Sequence, residues 1–345
     1  IDFANDSNTA LARGNLDRAV GKVAASGNAN YGWWYGGSGA LPFGQSSVSR
    51  VDYGSDTVTA SPKGTLSGNV NSNTAVGNIN YGYTTRGNNS YTDFLRYDYA
   101  NDTGASTPKG SLSFARNDFA GATGSQSYGY FMGGTTYPTY YTSIDRINYA
   151  NDTATASPKG NLNATIAGST GQRRAGGFSG QSNAFGGTST PSASKIVDKG
   201  SDGYLIPAPS ITTTLGPAFG YVLGGGTPSN TSAGSTIVQR SEFASDTTNL
   251  TPRGDLSRAI FYGGGTSSMT HGYVGGDNEA NNDDTGVKFN YANDTSTLVP
   301  NWTIRRVRNR TAVGNTNFGY WMGGDTSTTL PDNSAAAITR IDYSN

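Results

Sequence analysis

The stretch Tyr128-Gly129-Tyr130-Phe131-Met132-Gly133-Gly134, with Asp145-Arg146-Ile147-Asn148-Tyr149-Ala150-Asn151-Asp152-Thr153 and Ser157-Pro158-Lys159-Gly160-Asn161-Leu162 after it, decides the fold. An aromatic strand ends in a glycine pair. A second strand then brings a basic residue and an aromatic to a polar turn, and Pro-Lys-Gly follows. Variants of this unit recur along the whole chain. Taking Asn148 as the marker, the equivalents are Asp2, Asp52, Asp98, Val197, Glu242, Asn290 and Asp342, and subtraction gives a period of 45 to 52 residues. Periods of that size, rich in strand and turn residues, belong to propellers with one four-stranded sheet per repeat.

Working outward from the best copy, Phe114–Ala120 reads as a first strand, Tyr128–Met132 as a second, Ser143–Tyr149 as a third and Ala154–Pro158 as a short fourth. The second strand is apolar without alternation (Trp33-Trp34-Tyr35, Tyr221-Val222-Leu223, Tyr320-Trp321-Met322), so both of its faces are covered and it is core. The third strand carries Arg50, Arg96, Arg146, Lys195, Arg240, Lys288 or Arg340 two positions before the marker. Residues two apart share a face, so a within-strand or cross-blade ion pair with an acidic marker is expected there. Asn151-Asp152-Thr153 and its variants read as Asx turns, and Pro-Lys-Gly as the point where the chain leaves the blade.

Seven second-strand copies are countable, at Trp33, Tyr83, Tyr130, Phe185, Tyr221, Tyr273 and Tyr320, so seven blades are expected. The repeats run over about 17–66, 67–112, 113–162, 163–210, 211–256, 257–302 and 303–345, the last completed by 1–16. Ala10–Leu16 supplies its fourth strand, and Ile338–Tyr343 is expected to outcompete Ile1–Phe3 for the third-strand slot. The fourth repeat departs most: Gln172–Phe178 precedes a degraded Ala184-Phe185-Gly186-Gly187, and Asp198–Asp202 replaces the usual turn. The chain opens at Ile1 within a repeat, as a processed product or a fragment would.

The order of apolar strand, Gly-Gly, variable loop, basic residue and Tyr resembles the Kelch repeat over essentially the whole chain. It departs in having Ser/Thr-Pro-Lys-Gly where Kelch repeats carry a tryptophan. The wording Tyr-Gly-Tyr-Phe-x-Gly-Gly and Asp-Tyr-x-Asn-Asp-Thr is also similar to repeat proteins of marine, cyanophage-like tailed viruses. The resemblance implies an all-β, seven-bladed Kelch-like propeller that is part of a virion.

Composition narrows the chemistry. With 24 basic and 24 acidic residues in 345, there is no charge excess to attract nucleic acid or an anionic membrane, and no apolar run long enough for a membrane helix. There is no cysteine and one histidine, which removes thiolate sites and the usual zinc and copper sets. His271 stands where other repeats place Tyr31, Tyr81, Tyr128, Phe219 or Phe318, and reads as a packing replacement for an aromatic. Ser201-Asp202-Gly203 lacks the tryptophan of a sialidase Asp box, and Gly224-Gly225-Gly226 and Gly263-Gly264-Gly265 lack the Lys-Ser/Thr of a phosphate loop.

Two segments remain as candidate sites. Asp277, Glu279, Asp283 and Asp284 form a dense set of hard oxygen donors that would suit Ca²⁺, although EF-hand spacing is missing and a solvated acidic loop needs no metal. Tyr137, Tyr140 and Tyr141 form an aromatic loop, whose rings either face a protein or glycan partner or pack on the neighbouring blade. The resemblance, with the neutral composition and the lack of a recognisable catalytic set, implies a non-enzymatic decoration or tail-fibre-associated propeller of a virus particle, binding other virion proteins or a host surface glycan. The alternative is a glycan-active hydrolase or lyase with carboxylates at the channel. Asp118 and Asp255, each present in one repeat only, are its candidates, and both also read as ordinary surface acids.

Overall fold

The computed structural model describes residues 11–38, 44–87, 91–119, 121–163, 176–179, 219–226, 234–261, 263–268, 270–276, 285–303, 311–315, 317–324 and 336–343. These form six four-stranded antiparallel sheets and one two-stranded hairpin. Blade 1 consists of Ala24–Gly27, Tyr31–Tyr35, Gln45–Asp52 and Ser61–Val70. Blade 2 consists of Ala75–Gly77, Tyr81–Thr85, Asp93–Asp98 and Thr107–Ser111. Blade 3 consists of Gly121–Gly124, Tyr128–Met132, Ser143–Asn148 and Ser157–Asn161. In blade 4, Gly176–Ser179 pairs with Phe219–Leu223, followed by Val238–Glu242 and Thr251–Pro252. Blade 5 consists of Gly264–Ser267, His271–Gly275, Thr285–Asn290 and Thr295–Thr303. Blade 6 takes Thr311–Gly314, Phe318–Met322 and Ala337–Asp342, and its outer strand is Leu11–Asn15 from the other end of the chain. Closure by the N-terminal segment is thus as expected, and Ala337–Asp342 holds the third-strand slot. Ile1–Phe3 lies outside the described residues.

Among the described residues the blades number six, not the seven expected. The fourth and fifth sequence copies contribute to one blade, because the inner strand of one pairs directly with the second strand of the next. Blade 3 then meets blade 4 face to face: Tyr130 stacks on Phe243 at 5.0 Å, and Gly160 N donates to Asp246 O at 2.9 Å. These contacts leave no gap for another blade between them. Counting second-strand signatures counts copies, whereas a blade requires four paired strands. Phe185 and Asp198–Asp202, the rest of the divergent copy, fall outside the described residues.

The inner strands were also misplaced by sequence. In blade 3 the inner strand is Gly121–Gly124, and 113–119 belongs to the connection leading to it. Phe114 and Phe119 carry the strand-like signal, but strands crowded around a central axis take small residues. Three of the six inner strands read Ala-Ala-Ser-Gly, Gly-Ala-Thr-Gly and Gly-Gly-Thr-Ser, which carry little such propensity. The outer strands begin and end about three residues later than expected, so Pro-Lys-Gly lies within the strand and does not leave the blade.

An aromatic stack closes every blade interface. The residue after each marker lies on the second-strand aromatic of the preceding blade: Tyr99 on Trp33 at 3.9 Å, Tyr149 on Tyr83 at 4.9 Å and Phe243 on Tyr130 at 5.0 Å. Around the rest of the ring, Tyr291 lies on Tyr221 at 5.3 Å, Tyr343 on Tyr273 at 4.7 Å and Tyr53 on Tyr320 at 4.8 Å. The last pair joins blade 6 back to blade 1. Each ring buries a large area on both sides, so the apolar core is a chain of inter-blade clusters and not a single central one.

Candidate functional site

The repeated charges are consumed by these interfaces. Each turn aspartate receives, from the preceding blade, a third-strand arginine, an outer-strand cation and a second-strand ring donor. Asp152 Oδ2 accepts from Arg96 Nη1 at 2.9 Å and Tyr83 Oη at 3.0 Å, and Lys109 Nζ lies 3.3 Å from Oδ1. Asp246 repeats the pattern with Arg146, Lys159 and Tyr130, Asp102 with Arg50, Lys63 and Trp33, and Asp56 with Arg340, Arg13 and Tyr320. Asp294 takes Arg240, Arg253 and Tyr221.

Of the two pairings expected for the third-strand arginine, the cross-blade one holds, but with the next blade's turn aspartate in place of a marker. Arg240 also pairs within its strand with Glu242 at 3.5 Å, whereas the markers Asp52, Asp98, Asn148 and Asn290 cap the turn of their own blade. Asp52 Oδ1 accepts Gly54 N at 2.9 Å, and Asn148 Oδ1 accepts Ala150 N at 3.0 Å. Each arginine also lies over the first aromatic of its neighbouring second strand, as Arg146 does over Tyr128 at 4.4 Å. The glycine of Pro-Lys-Gly is required by contact. A Cβ on Gly110 would sit 1.9 Å from Ala154 O, because Gly110 N donates to Asp152 O at 2.8 Å across the interface.

His271 occupies the aromatic slot in blade 5, half-buried, its ring 6.4 Å from Tyr273 and bonded to Thr270 at 2.9 Å. Burial pulls its pKa down, which favours the neutral imidazole. In the same blade a lysine, Lys288, replaces arginine opposite Tyr273. This fits a packing role. Asp255 is exposed and accepts from Thr236 at 3.4 Å; Asp118 is half-buried with φ at 44°. Neither lies on an inner strand. Asp277, Glu279, Asp283 and Asp284 fall outside the described residues. Among the described residues no group of three or more His, Cys, Asp or Glu is placed to hold a metal ion, and no helix is long and apolar enough to cross a membrane.

The tyrosine loop is a built feature. Thr135–Thr136 and Thr139–Tyr140 form a hairpin around a cis Tyr137-Pro138 bond. The hairpin lies on the 113–119 connection: Asn117 and Thr135 exchange backbone bonds at 3.0 and 2.9 Å, and Thr136 Oγ1 donates to Ala115 O at 3.0 Å. Tyr141 packs on Phe114 at 4.6 Å and Tyr140 is half-buried, whereas Tyr137 is 81% exposed. The two options left open by sequence are thus divided among the three rings.

Beneath the hairpin is a charge pair that the sequence reading missed. Arg116 Nη2 donates to Asp145 Oδ2 at 3.1 Å, with both side chains fully buried. Arg116 also donates to Ser143 Oγ and Phe131 O, and its guanidinium lies under Phe114 and Phe119 at 4.5 and 5.2 Å. Asp145 Oδ2 further accepts Ser113 N and Ser113 Oγ. Superposed repeats carry the signal. Four residues after the buried leucine, Val20, Val70 and Ile260 stand where blade 3 has Arg116. Three before the marker, Ser49, Leu95, Gln239, Val287 and Thr339 stand where it has Asp145. One blade alone has exchanged both positions for opposite charges. Arg116 fastens the connection to the third strand and so fixes the bed of the hairpin.

No protein-family model matches the chain, and no curated protein is significantly similar to it. The class shown is an all-β propeller of four-stranded antiparallel blades.

Proposed function

We propose that this propeller is a non-catalytic binding module that makes its contact through the connections between second and third strands, chiefly the 135–141 hairpin. The carrying observation is a hairpin clamped from below by a buried ion pair that still presents Tyr137 at 81% exposure. A rigid exposed tyrosine offers apolar area and a hydroxyl at little entropic cost. The repeated carboxylates, each held by two cations and a ring donor, are structural. Calcium has no part in this reading.

The likeness of the repeat to Kelch repeats and to repeats of marine tailed viruses supports placing the module on a virus particle, as decoration or tail-fibre-associated protein. There it would bind a virion protein or a host surface glycan. The test is attachment of purified chain to particles and to host cells. Tyr137→Ser is expected to weaken attachment with an unchanged melting temperature. Tyr140→Ser and Tyr141→Ser are expected to act less, because those rings are partly turned inward. Undiminished attachment by the Tyr137 variant refutes the contact, and turnover of a glycan by wild-type protein refutes the non-catalytic reading.

A further inference from the structure

Among the described residues only two aromatic side chains are more than a third exposed, Tyr91 at 48% and Tyr137 at 81%. Both lie between the second and third strands of adjacent blades, so the up-and-down strand order puts them at the same end of the propeller. A bonded path joins them. Leu112 N donates to Thr92 O at 2.8 Å, and two residues further on Phe114 packs against Tyr141, beside the hairpin. The segments that carry Tyr91, Phe114, Tyr141, Tyr140 and Tyr137 are therefore joined at one end of blades 2 and 3, an aromatic run in which Phe114 and Tyr141 are in ring contact.

The chemistry of this run is specific. Arg86 Nε donates to both oxygens of Asp93 at 3.0 and 2.9 Å while its Cζ lies 4.8 Å from the Tyr91 ring centre, so Tyr91 rests on a cation already neutralised by its partner. Arg116 and Asp145 neutralise each other beneath the other end. Among the described residues of the segments that carry the rings, the polar side chains outside the two ion pairs and half-buried Asp118 are neutral: Thr92, Ser113, Asn117, Thr135, Thr136, Thr139 and Thr142. The other exposed large apolar residues, Val58, Ile79 and Leu298, belong to none of these segments. Protein hot spots combine aromatics with an available arginine and a water-excluding apolar surround; here Arg86 and Arg116 are both committed to carboxylates, Arg116 fully buried, and the other exposed large apolar residues lie elsewhere. Partly exposed rings in a neutral hydroxyl-rich surface instead match the faces and hydroxyls of uncharged sugars.

We propose that this run binds a neutral polysaccharide chain laid across blades 2 and 3, with successive sugar rings on Tyr91 and on the hairpin tyrosines. The proposal rests on the hairpin being the contact and extends it to a second blade and to one ligand class. The experiment is electrophoresis of the full chain through gels containing laminarin, galactomannan or, as the anionic control, alginate. Retardation by at least one neutral polysaccharide and none by alginate is expected. Tyr91→Ala and Tyr137→Ala should each weaken it about tenfold, as loss of one ring contact would, with melting temperatures unchanged. Retardation by alginate, by no polysaccharide, or undiminished by Tyr91→Ala overturns the proposal. If Tyr137→Ser abolishes attachment to particles or cells while neutral polysaccharides retard nothing, the hairpin contact stands and the glycan assignment falls.

Discussion

Replacing Arg116 and Asp145 by the residues other blades carry tests whether the buried pair is a coupled unit or two independent contacts. Arg116→Val installs the side chain found at Val20 and Val70, and Asp145→Ser the one found at Ser49. In the first variant Asp145, fully buried, keeps only its Ser113 partners; in the second the guanidinium keeps only Ser143 Oγ and Phe131 O. An uncompensated buried charge costs about 3–5 kcal/mol. The double variant removes both charges and leaves mainly the smaller volume of valine to accommodate, for a cost of about 2 kcal/mol or less. The coupling energy in the cycle is therefore at least ~4 kcal/mol. A chain of this length unfolds with an entropy of roughly 0.7 kcal/mol/K, so each single variant should melt about 4–7 °C low and the double about 3 °C low or less. Calorimetry with a urea titration at matched pH reads all four proteins. A double variant as unstable as the sum of the singles refutes the coupled clamp.

Deleting residues 1–16 removes the outer strand of blade 6 together with Arg13 and its Asp56 contact, and the melting temperature should fall markedly; an unchanged melting curve would show that the ring does not depend on that strand. Burial pushes Tyr221 and Tyr273 up to about 12, and Tyr53, Tyr149, Tyr291 and Tyr343 well above the ordinary phenol value. The folded state favours the neutral phenol, so this stability is complete below pH ~10 and is lost as pH rises through about 12. Tyrosinate absorbance from these rings should appear only together with loss of circular dichroism, and ionisation in an intact fold would contradict it. Tyr99 Oη bonds Ser26 Oγ at 2.7 Å, whereas Tyr53 Oη is buried without a partner, next to an inner strand that offers Val313 in place of a hydroxyl. Tyr99→Phe should cost about 1 kcal/mol and Tyr53→Phe nothing or less than nothing, as measured by urea midpoints; equal losses would refute the difference.

The sequence by itself determined what is local or periodic. The Tyr-Gly-Tyr-Phe-Met-Gly-Gly stretch is apolar on successive residues and stops at two glycines, whose left-handed φ of 58° and 104° at Gly133 and Gly134 bends the chain out of the sheet. The second strand and its termination were therefore legible, as was closure by Ala10–Leu16, because a repeat cut at one end must be completed from the other. Tertiary structure decided everything that depends on a partner far along the chain. Arg146 lies two residues from Asn148, yet it pairs with Asp246 in another blade, since the third strand aims it across the interface while Asn148 caps its own turn. The blade number followed from strand pairing between Gly176–Ser179 and Phe219–Leu223, a match that no count of copies contains. The candidate site shows the same division. A tyrosine-rich loop was visible in the letters, but which ring faces outward depends on Phe114 and a buried Arg116. Exposure is a property of what packs against a residue, and those neighbours come from other segments of the chain.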